Sequence, residues 1–328
     1  MKFLIAGLGS IGRRHFRNLL ALGERDILLY RTLRSSLPED ELVGFPVETD
    51  LQAALAHHPQ AVIISNPTAL HLEVAIPAAE AGCSILLEKP VSHSLEGVER
   101  LELALQRGGG RLLVGFQFRF HPTLRRAAQL IQAGSLGDLL SMHAHWGEYL
   151  PDWHPWEDYQ KGYSARTDLG GGVVLTLSHP LDYLRYLIGE VDSLWAFTSS
   201  KGFGLQVEDM AEIGLRFSSG VIGSLHLDYN QRPPAHYLEI TGTLGSLRWD
   251  NRDGSLGFYR TETQTLENFL PPAGFERNQM FLDEMRHFLS LLRGESDSLC
   301  SLQDGKQALR LAMAASQSAE LGKLMKLE

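Results

Sequence analysis

The chain has 328 residues, a formal net charge of −9, two cysteines, 44% hydrophobic residues and 21% charged residues. That composition fits two globular domains with their own cores and argues against disorder. An acidic balance without long Lys/Arg runs leaves no footprint for nucleic acid, and Cys83 and Cys300 are too few for a disulfide framework or a thiolate metal cage, which suits a reducing cytoplasm.

The opening apolar run, Met1 to Ala6, stops at glycines and Arg13-Arg14, so it reads as a strand rather than a secretion signal. No stretch reaches membrane-spanning length, and a membrane is not an expected partner. Short apolar runs predict strands over residues 2–6, 27–30, 61–65, 84–87 and 111–114. Amphipathic stretches predict helices over 11–22, 51–56, 69–81 and 95–106, with Asp50 and Ser94 as openers and Gly23 and Gly82 as closers. This alternation predicts a parallel sheet with crossover helices, an α/β Rossmann domain over residues 1–120.

Beyond residue 120 the pattern predicts a helix over 123–133, a strand over 139–150, an irregular aromatic segment and one long helix over 172–188. Strands follow over 193–198, 207–217, 221–229, 236–241, 245–249 and 256–260, then helices over 279–293 and 302–324. Strand after strand predicts a mostly antiparallel sheet in an α+β domain over residues 121–328.

Gly7-Leu8-Gly9-Ser10-Ile11-Gly12 follows the first strand and opens a helix, the context in which G-x-G-x-x-G binds a dinucleotide. The first glycine permits the tight turn, the second lets the pyrophosphate approach, and the third allows close packing, with the helix N-terminus favouring the anion. Where an NAD-selective site presents an acid, this chain has Tyr30-Arg31-Thr32-Leu33-Arg34-Ser35-Ser36. Arg31, Arg34 and Ser35 suit a 2′-phosphate, so NADP(H) is the preferred cofactor and NAD(H) a possible one. The alternative is that these arginines are solvated loop charges.

Ser65-Asn66-Pro67-Thr68-Ala69-Leu70-His71, Glu88-Lys89-Pro90, the run from Gly115 through Gln117 and Arg119 to Pro122, and Gly170-Gly171-Gly172 leading to His179 and Asp182 follow one another in order. In that order they resemble the glucose-fructose oxidoreductase, inositol dehydrogenase and rhizopine-catabolism oxidoreductase family, over nearly the whole chain. The resemblance implies a Rossmann domain followed by an open-faced antiparallel sheet that mediates homodimers or homotetramers, with substrate between them over the nicotinamide. It implies that Lys89 is a catalytic acid/base touching the nicotinamide ribose and that His179 meets the reacting oxygen. Asn66, Pro67, His71, Glu88 and Gln117, with Ser65 beside them, are implied to line the cofactor; Gln117 stands where asparagine is common. Thr176 occupies the region where the family often carries an aspartate, and a hydroxyl cannot supply that negative charge.

Taken without the resemblance, Lys89 lies just past a strand end, where ligands bind in doubly wound sheets. Burial or neighbouring positive charge there can lower a lysine towards neutrality; the alternative is a surface lysine paired with Glu88. Thr176, His179, Asp182 and Tyr186 share the spacing of one polar helical face. Asp182 either holds the His179 imidazole in one tautomer or pairs with Arg185. Arg119, Tyr149, Trp153, His154, Trp156, Tyr163 and Arg166 are candidate substrate contacts, since aromatic faces beside polar tips suit a carbohydrate and Arg166 suits a carboxylate or phosphate. An aromatic interface loop of an oligomer would read the same way.

No pair among His143, Glu148, Asp152, His154 and His179 has a recognised metal-ligand spacing, and no metal is expected. These observations predict an NAD(P)-dependent oxidoreductase acting on a hydroxyl of a sugar, amino sugar, nucleotide sugar or cyclitol. Two rivals stand beside it: a redox-neutral lyase or hydrolase that regenerates its cofactor in each turnover, and a non-catalytic dinucleotide sensor.

Overall fold

The computed structural model describes residues 1–32, 37, 40–155 and 157–327; Arg34, Ser35 and Trp156 lie outside the described residues. Two compact units emerge, one formed by Met1–Gln117 with Arg277–Lys306, the other by Phe118–Glu276 with Gln307–Glu328.

The first unit is built on β1 (Phe3–Ala6), α1 (Ser10–Ala21), β2 (Ile27–Tyr30), β3 (Val47–Glu48), α2 (Leu51–Ala56), β4 (Ala61–Ile64), α3 (His71–Glu80), β5 (Ser84–Glu88), α4 (Val98–Gly108) and β6 (Leu112–Gly115). Its strands are all parallel in the order β3-β2-β1-β4-β5-β6, the doubly wound arrangement whose crevice opens where the order reverses, between β1 and β4. Phe3, Leu4, Ile5, Val62, Ile63, Ile64, Leu86 and Leu87 are fully buried, as strands covered on both faces require. Asp50 caps α2 by accepting from the Ala53 N–H at 2.8 Å. Helix α4 starts at Val98, after Gly97 at φ 82°, three residues later than the sequence pattern predicts.

The second unit holds α5 (Pro122–Gln132), β7 (Leu139–Tyr149), α6 (Val173–Thr176), α7 (His179–Ile188), β8 (Val191–Ser199), β9 (Met210–Phe217), β10 (Ile222–Asp228), β11 (Asn230–Gly242), β12 (Gly245–Asp250), β13 (Ser255–Arg260) and β14 (Thr265–Phe269). The chain then runs through α8 (Arg277–Arg293) and α9 (Leu302–Leu321) to β15 (Met325–Lys326). Nine strands form a sheet in the order β14-β13-β12-β11-β7-β10-β9-β8-β15, antiparallel except where β10 runs parallel to β7. The expected architecture, a Rossmann domain plus a mostly antiparallel sheet domain, is the one observed. Among the described residues no helix is long and apolar enough to cross a membrane.

The single helix expected over 172–188 is two. Pro180 has no N–H to give to the carbonyl of Thr176 and its ring would strike that carbonyl, so the helix stops at Thr176 and restarts at His179 with proline in its first turn. The expected polar face does not form, because Thr176, His179 and Asp182 are all buried.

Helix α8 and the start of α9 belong to the first unit, where Arg111 Nη1 donates to the Leu291 carbonyl at 2.9 Å and the Val114 N–H to the Cys300 carbonyl at 2.9 Å.

Within the second unit, His121 lies edge-on to Trp249 at 5.3 Å and to Phe275 at 5.2 Å. Burial lowers its pKa from 6.5 to about 4, so the unfolded chain binds a proton there that the folded one refuses. Its folded pKa is depressed, so its contribution is complete above about pH 6.5 and is lost as pH falls through about 4, a swing of about 3 kcal/mol. Replacing His121 by Gln should therefore flatten the loss of melting temperature between pH 7 and pH 4.5; parallel curves for both proteins would show that His121 does not carry it.

Candidate active site

The turn after β1 is shaped by its glycines, each for a different reason. Gly7 has φ +88°, and a Cβ there would lie 2.4 Å from the Asn66 nitrogen. A Cβ on Gly12 would lie 1.9 Å from the Gly7 carbonyl oxygen and 2.6 Å from Ser65 Oγ. A Cβ on Gly9 would meet nothing within 4 Å, so this glycine keeps space open rather than packing against the protein. It is the N-cap of α1 without a side-chain cap, and the N–H groups of Ser10, Ile11 and Gly12 stand in the first turn, where a helix offers donors to an anion. Asn66 Nδ2 donates to the Leu70 carbonyl at 3.0 Å, while its buried Oδ1 has no partner among the described residues. An open glycine, a free helix start and an idle buried acceptor fit a dinucleotide.

Arg31, at the end of β2, is 6% exposed, which replaces the alternative of a solvated loop charge by a buried one. No acid follows β2 in the described residues Arg31 and Thr32.

His71 joins two of the implied cofactor segments. Its Nδ1 lies 2.9 Å from the Pro90 carbonyl and its Nε2 3.0 Å from the Asn66 carbonyl, with Pro67 between Asn66 and the next turn. Burial, its largest influence, lowers the His71 pKa against these hydrogen bonds and the Glu88 charge. The neutral ring lies between the Asn66 and Pro90 carbonyls and donates to one of them. Glu88 is also buried and accepts from His15 Nε2 at 2.7 Å. Lys89, half-buried, follows it and gives its backbone N–H to Glu88 Oε2 at 3.3 Å. Gln117 is buried at the unit's chain end.

In the second unit, Arg119 closes a two-point ion pair with Asp182: Nε to Oδ2 at 2.9 Å and Nη2 to Oδ1 at 2.6 Å, with side chains 5% and 1% exposed. Arg119, expected to contact substrate, thus spends its fork on Asp182, and Arg185 pairs with Glu190. Asp182 thus pairs with a residue 63 positions away in the chain. His179 is 3% exposed and rests against Phe118 at 5.1 Å and Trp146 at 5.6 Å. Trp146 stacks on His236 at 4.2 Å, an aromatic bed that the sequence leaves scattered over four segments. Thr176 is 3% exposed, and the buried Tyr229 hydroxyl donates to the Ser164 carbonyl at 3.3 Å. Glu208 accepts from the Val174 N–H at 3.1 Å and lies where a Cβ on Gly172 would sit 2.5 Å from its Oε1. That contact, with φ +106° at Gly172, requires the glycine.

The aromatic segment is less uniform. Trp153 sits edge-on to Tyr229 at 5.5 Å, with its buried Nε1 unpartnered among the described residues. Tyr149 lies under the Arg232 guanidinium at 4.1 Å. His154 and Tyr163 are half-buried. Arg166 is exposed and forms a two-point pair with Asp168.

A family model described as the oxidoreductase family with NAD-binding Rossmann fold matches residues 1–116, and one described as the GFO/IDH/MocA C-terminal domain matches residues 124–248. The chain belongs to the Gfo/Idh/MocA oxidoreductase family. It is accordingly an NAD(P)-dependent oxidoreductase. Myo-inositol 2-dehydrogenase of Thermotoga maritima is 27% identical over 346 aligned positions, covering 100% of this chain and 99% of that one. 2,7-Anhydro-N-acetylneuraminate hydratase of Escherichia coli is 30% identical over 205 positions, covering 60% and 53%. A levoglucosan dehydrogenase solved in complex with NADH shares the fold, with a TM-score of 0.90 at 20% identity and coverage of 100% and 99%.

The glycine geometry separates packing from binding. Gly9→Ala should leave the melting temperature within about 2 °C while weakening dinucleotide binding at least tenfold, because its Cβ meets only ligand space. Gly12→Ala should lower stability by about 1–3 kcal/mol through overpacking. Unchanged NADPH affinity in Gly9→Ala by fluorescence titration would contradict this reading of the turn.

Proposed function

We propose that the protein transfers hydride to or from a hydroxyl carbon of a sugar, amino sugar, nucleotide sugar or cyclitol, with NADP(H) preferred and NAD(H) accepted. The observation that carries this is Lys89 at the C-terminal end of β5, in a sheet that also presents the open Gly9 turn and the idle Asn66 acceptor. Lys89 exchanges the substrate hydroxyl proton, and His179 shares that work, resting on its aromatic bed. Arg119 and Asp182 neutralise each other beside His179 on α7, so Asp182 acts as a positioning residue and not as the base. The bound nicotinamide supplies the hydride acceptor or donor. Ser65, Pro67, Gln117 and Glu88 complete the cofactor site, and Trp153, whose indole N–H has no partner among the described residues, offers a substrate hydrogen bond.

The preference for NADP(H) rests on Arg31 at the end of β2, where a carboxylate would repel the 2′-phosphate and hold the ribose diol. A second reading, transient oxidation enabling a redox-neutral elimination or hydration, is supported by the similarity to a hydratase.

The open face of the second sheet is the proposed homodimer or homotetramer surface. Trp195, Phe197 and Ile222 are 43%, 68% and 54% exposed on it, and Trp195 lies over Gly214, where a Cβ would come 2.3 Å from Nε1. Exposed aromatics of this kind mark association surfaces.

Titration with NADPH and NADH, followed by absorbance at 340 nm against sugars, cyclitols and their keto forms, tests the catalytic reading. Arg31→Gln should raise the Michaelis constant for NADPH about tenfold more than that for NADH, and equal effects would remove the NADP assignment. Product without net absorbance change would favour the redox-neutral reading. Trp195→Glu with Phe197→Glu should yield monomers by light scattering; an unchanged assembly would place the interface elsewhere.

A further inference from the structure

Behind Lys89 the first unit buries three acid/base groups from three distant parts of the chain. His15 comes from α1, Glu88 from the end of β5 and Glu284 from α8; each offers a donor atom, and the three atoms lie within 4.8 Å of one another. His15 and Glu284 are both 0% exposed and Glu88 7%. His15 Nε2 donates to Glu88 Oε1 at 2.7 Å, which fixes the proton on Nε2, whereas neither Glu284 oxygen has a hydrogen-bond partner among the described residues. Gly115 leaves room for this arrangement, since its Cβ would lie 3.2 Å from the Glu88 carboxylate.

Two buried carboxylates this close cannot both ionise without a large desolvation and repulsion cost. Burial, then the charge of Glu88, pushes Glu284 well above the usual carboxylate range. Burial opposes ionisation of Glu88 too, but the His15 hydrogen bond and the charges of His15, Lys89 and His71 outweigh it and hold Glu88 below that range. Arg14 on α1 also faces Glu88 and lies 4.5 Å over Phe281, one turn before Glu284, with Arg277 on α8 near it. Of the two carboxyls, Glu88, adjacent to Lys89, is therefore the ionised one, and Glu284 is the carboxylic acid that can donate.

We propose that Glu284 is a positioning residue for Lys89: a neutral acid within 4.8 Å of the Glu88–His15 pair, it turns its hydrogen towards that pair in the working enzyme, so that a single fixed carboxylate stands behind the lysine. This rests on the reading of Lys89 as the proton-transfer residue. Glu284→Gln keeps a donor of the same shape, and Glu284→Met keeps volume without one.

The test is kcat/KM against pH for both variants, with NADPH affinity and melting temperature alongside. Glu284→Met should lose at least about tenfold in kcat and displace the limb of the profile that Lys89→Met abolishes, with NADPH affinity changed less than about threefold. Glu284→Gln should restore most of the turnover and the wild-type limb. A wild-type profile in Glu284→Met would reduce Glu284 to packing and overturn the proposal. Should Glu284→Met not fold, infrared spectroscopy decides: a protonated carboxylic acid band at neutral pH, absent from Glu284→Gln, is expected, and its absence from the wild type overturns the proposal. That band is independent of Lys89, so wild-type turnover in Lys89→Met with the band intact would fail the parent reading alone. A stoichiometric divalent ion in the purified protein, lost in Glu284→Gln, would make the three residues ligands and also overturn it.

Discussion

A carboxylate without bulk water must be given partners, and Glu88 obtains them from across the first unit. Its hydrogen bond with His15 ties the helix that starts at the dinucleotide turn to the strand end that carries Lys89. A buried pair of this kind is weak evidence of net stability, because desolvation offsets its attraction, but losing one partner strands the other. The pair therefore acts as a register constraint: α1 cannot shift along β5 without leaving an ionised group alone. His71 sits between the Asn66 and Pro90 carbonyls, and its neutral ring donates to one of them.

The second unit repeats the device with a guanidinium. Arg119 and Asp182 are almost wholly buried and meet through two parallel hydrogen bonds, the geometry in which arginine binds carboxylates most tightly. Residues expected to meet a ligand are thus engaged with each other, while His179 is held by rings. In both units an ion pair is buried, and among the described residues packing leaves Asn66 Oδ1 and Trp153 Nε1 without partners.

Much of the fold was legible because its signals are local. Gly7 to Gly12 follow a strand, Asp50 caps the helix expected of it, and β8 to β13 have the expected short apolar runs. The break at Leu177 and Ser178 was missed because apolar periodicity runs through it, although Pro180 was visible and forbids an unbroken helix. The short strands β3 and β14 lack any alternating apolar signal. Long-range electrostatics was the least legible layer: nothing local in the sequence announces that Arg119 meets Asp182, or that Glu284 from α8 joins His15 and Glu88. The return of residues 277–306 to the first unit is equally silent, since an amphipathic helix does not name the surface it covers.

In the proposed reaction hydride passes between a nicotinamide and a sugar-like carbon, with Lys89 moving the proton. The most direct measurement is turnover of a keto sugar with NADPH deuterated at the transferring position, the product being analysed by mass spectrometry. One deuterium per product molecule is predicted for the wild type, and almost no labelled product for a Lys89→Met that still binds NADPH. Unlabelled product formed at the wild-type rate, or label transferred at that rate by Lys89→Met, would contradict the account.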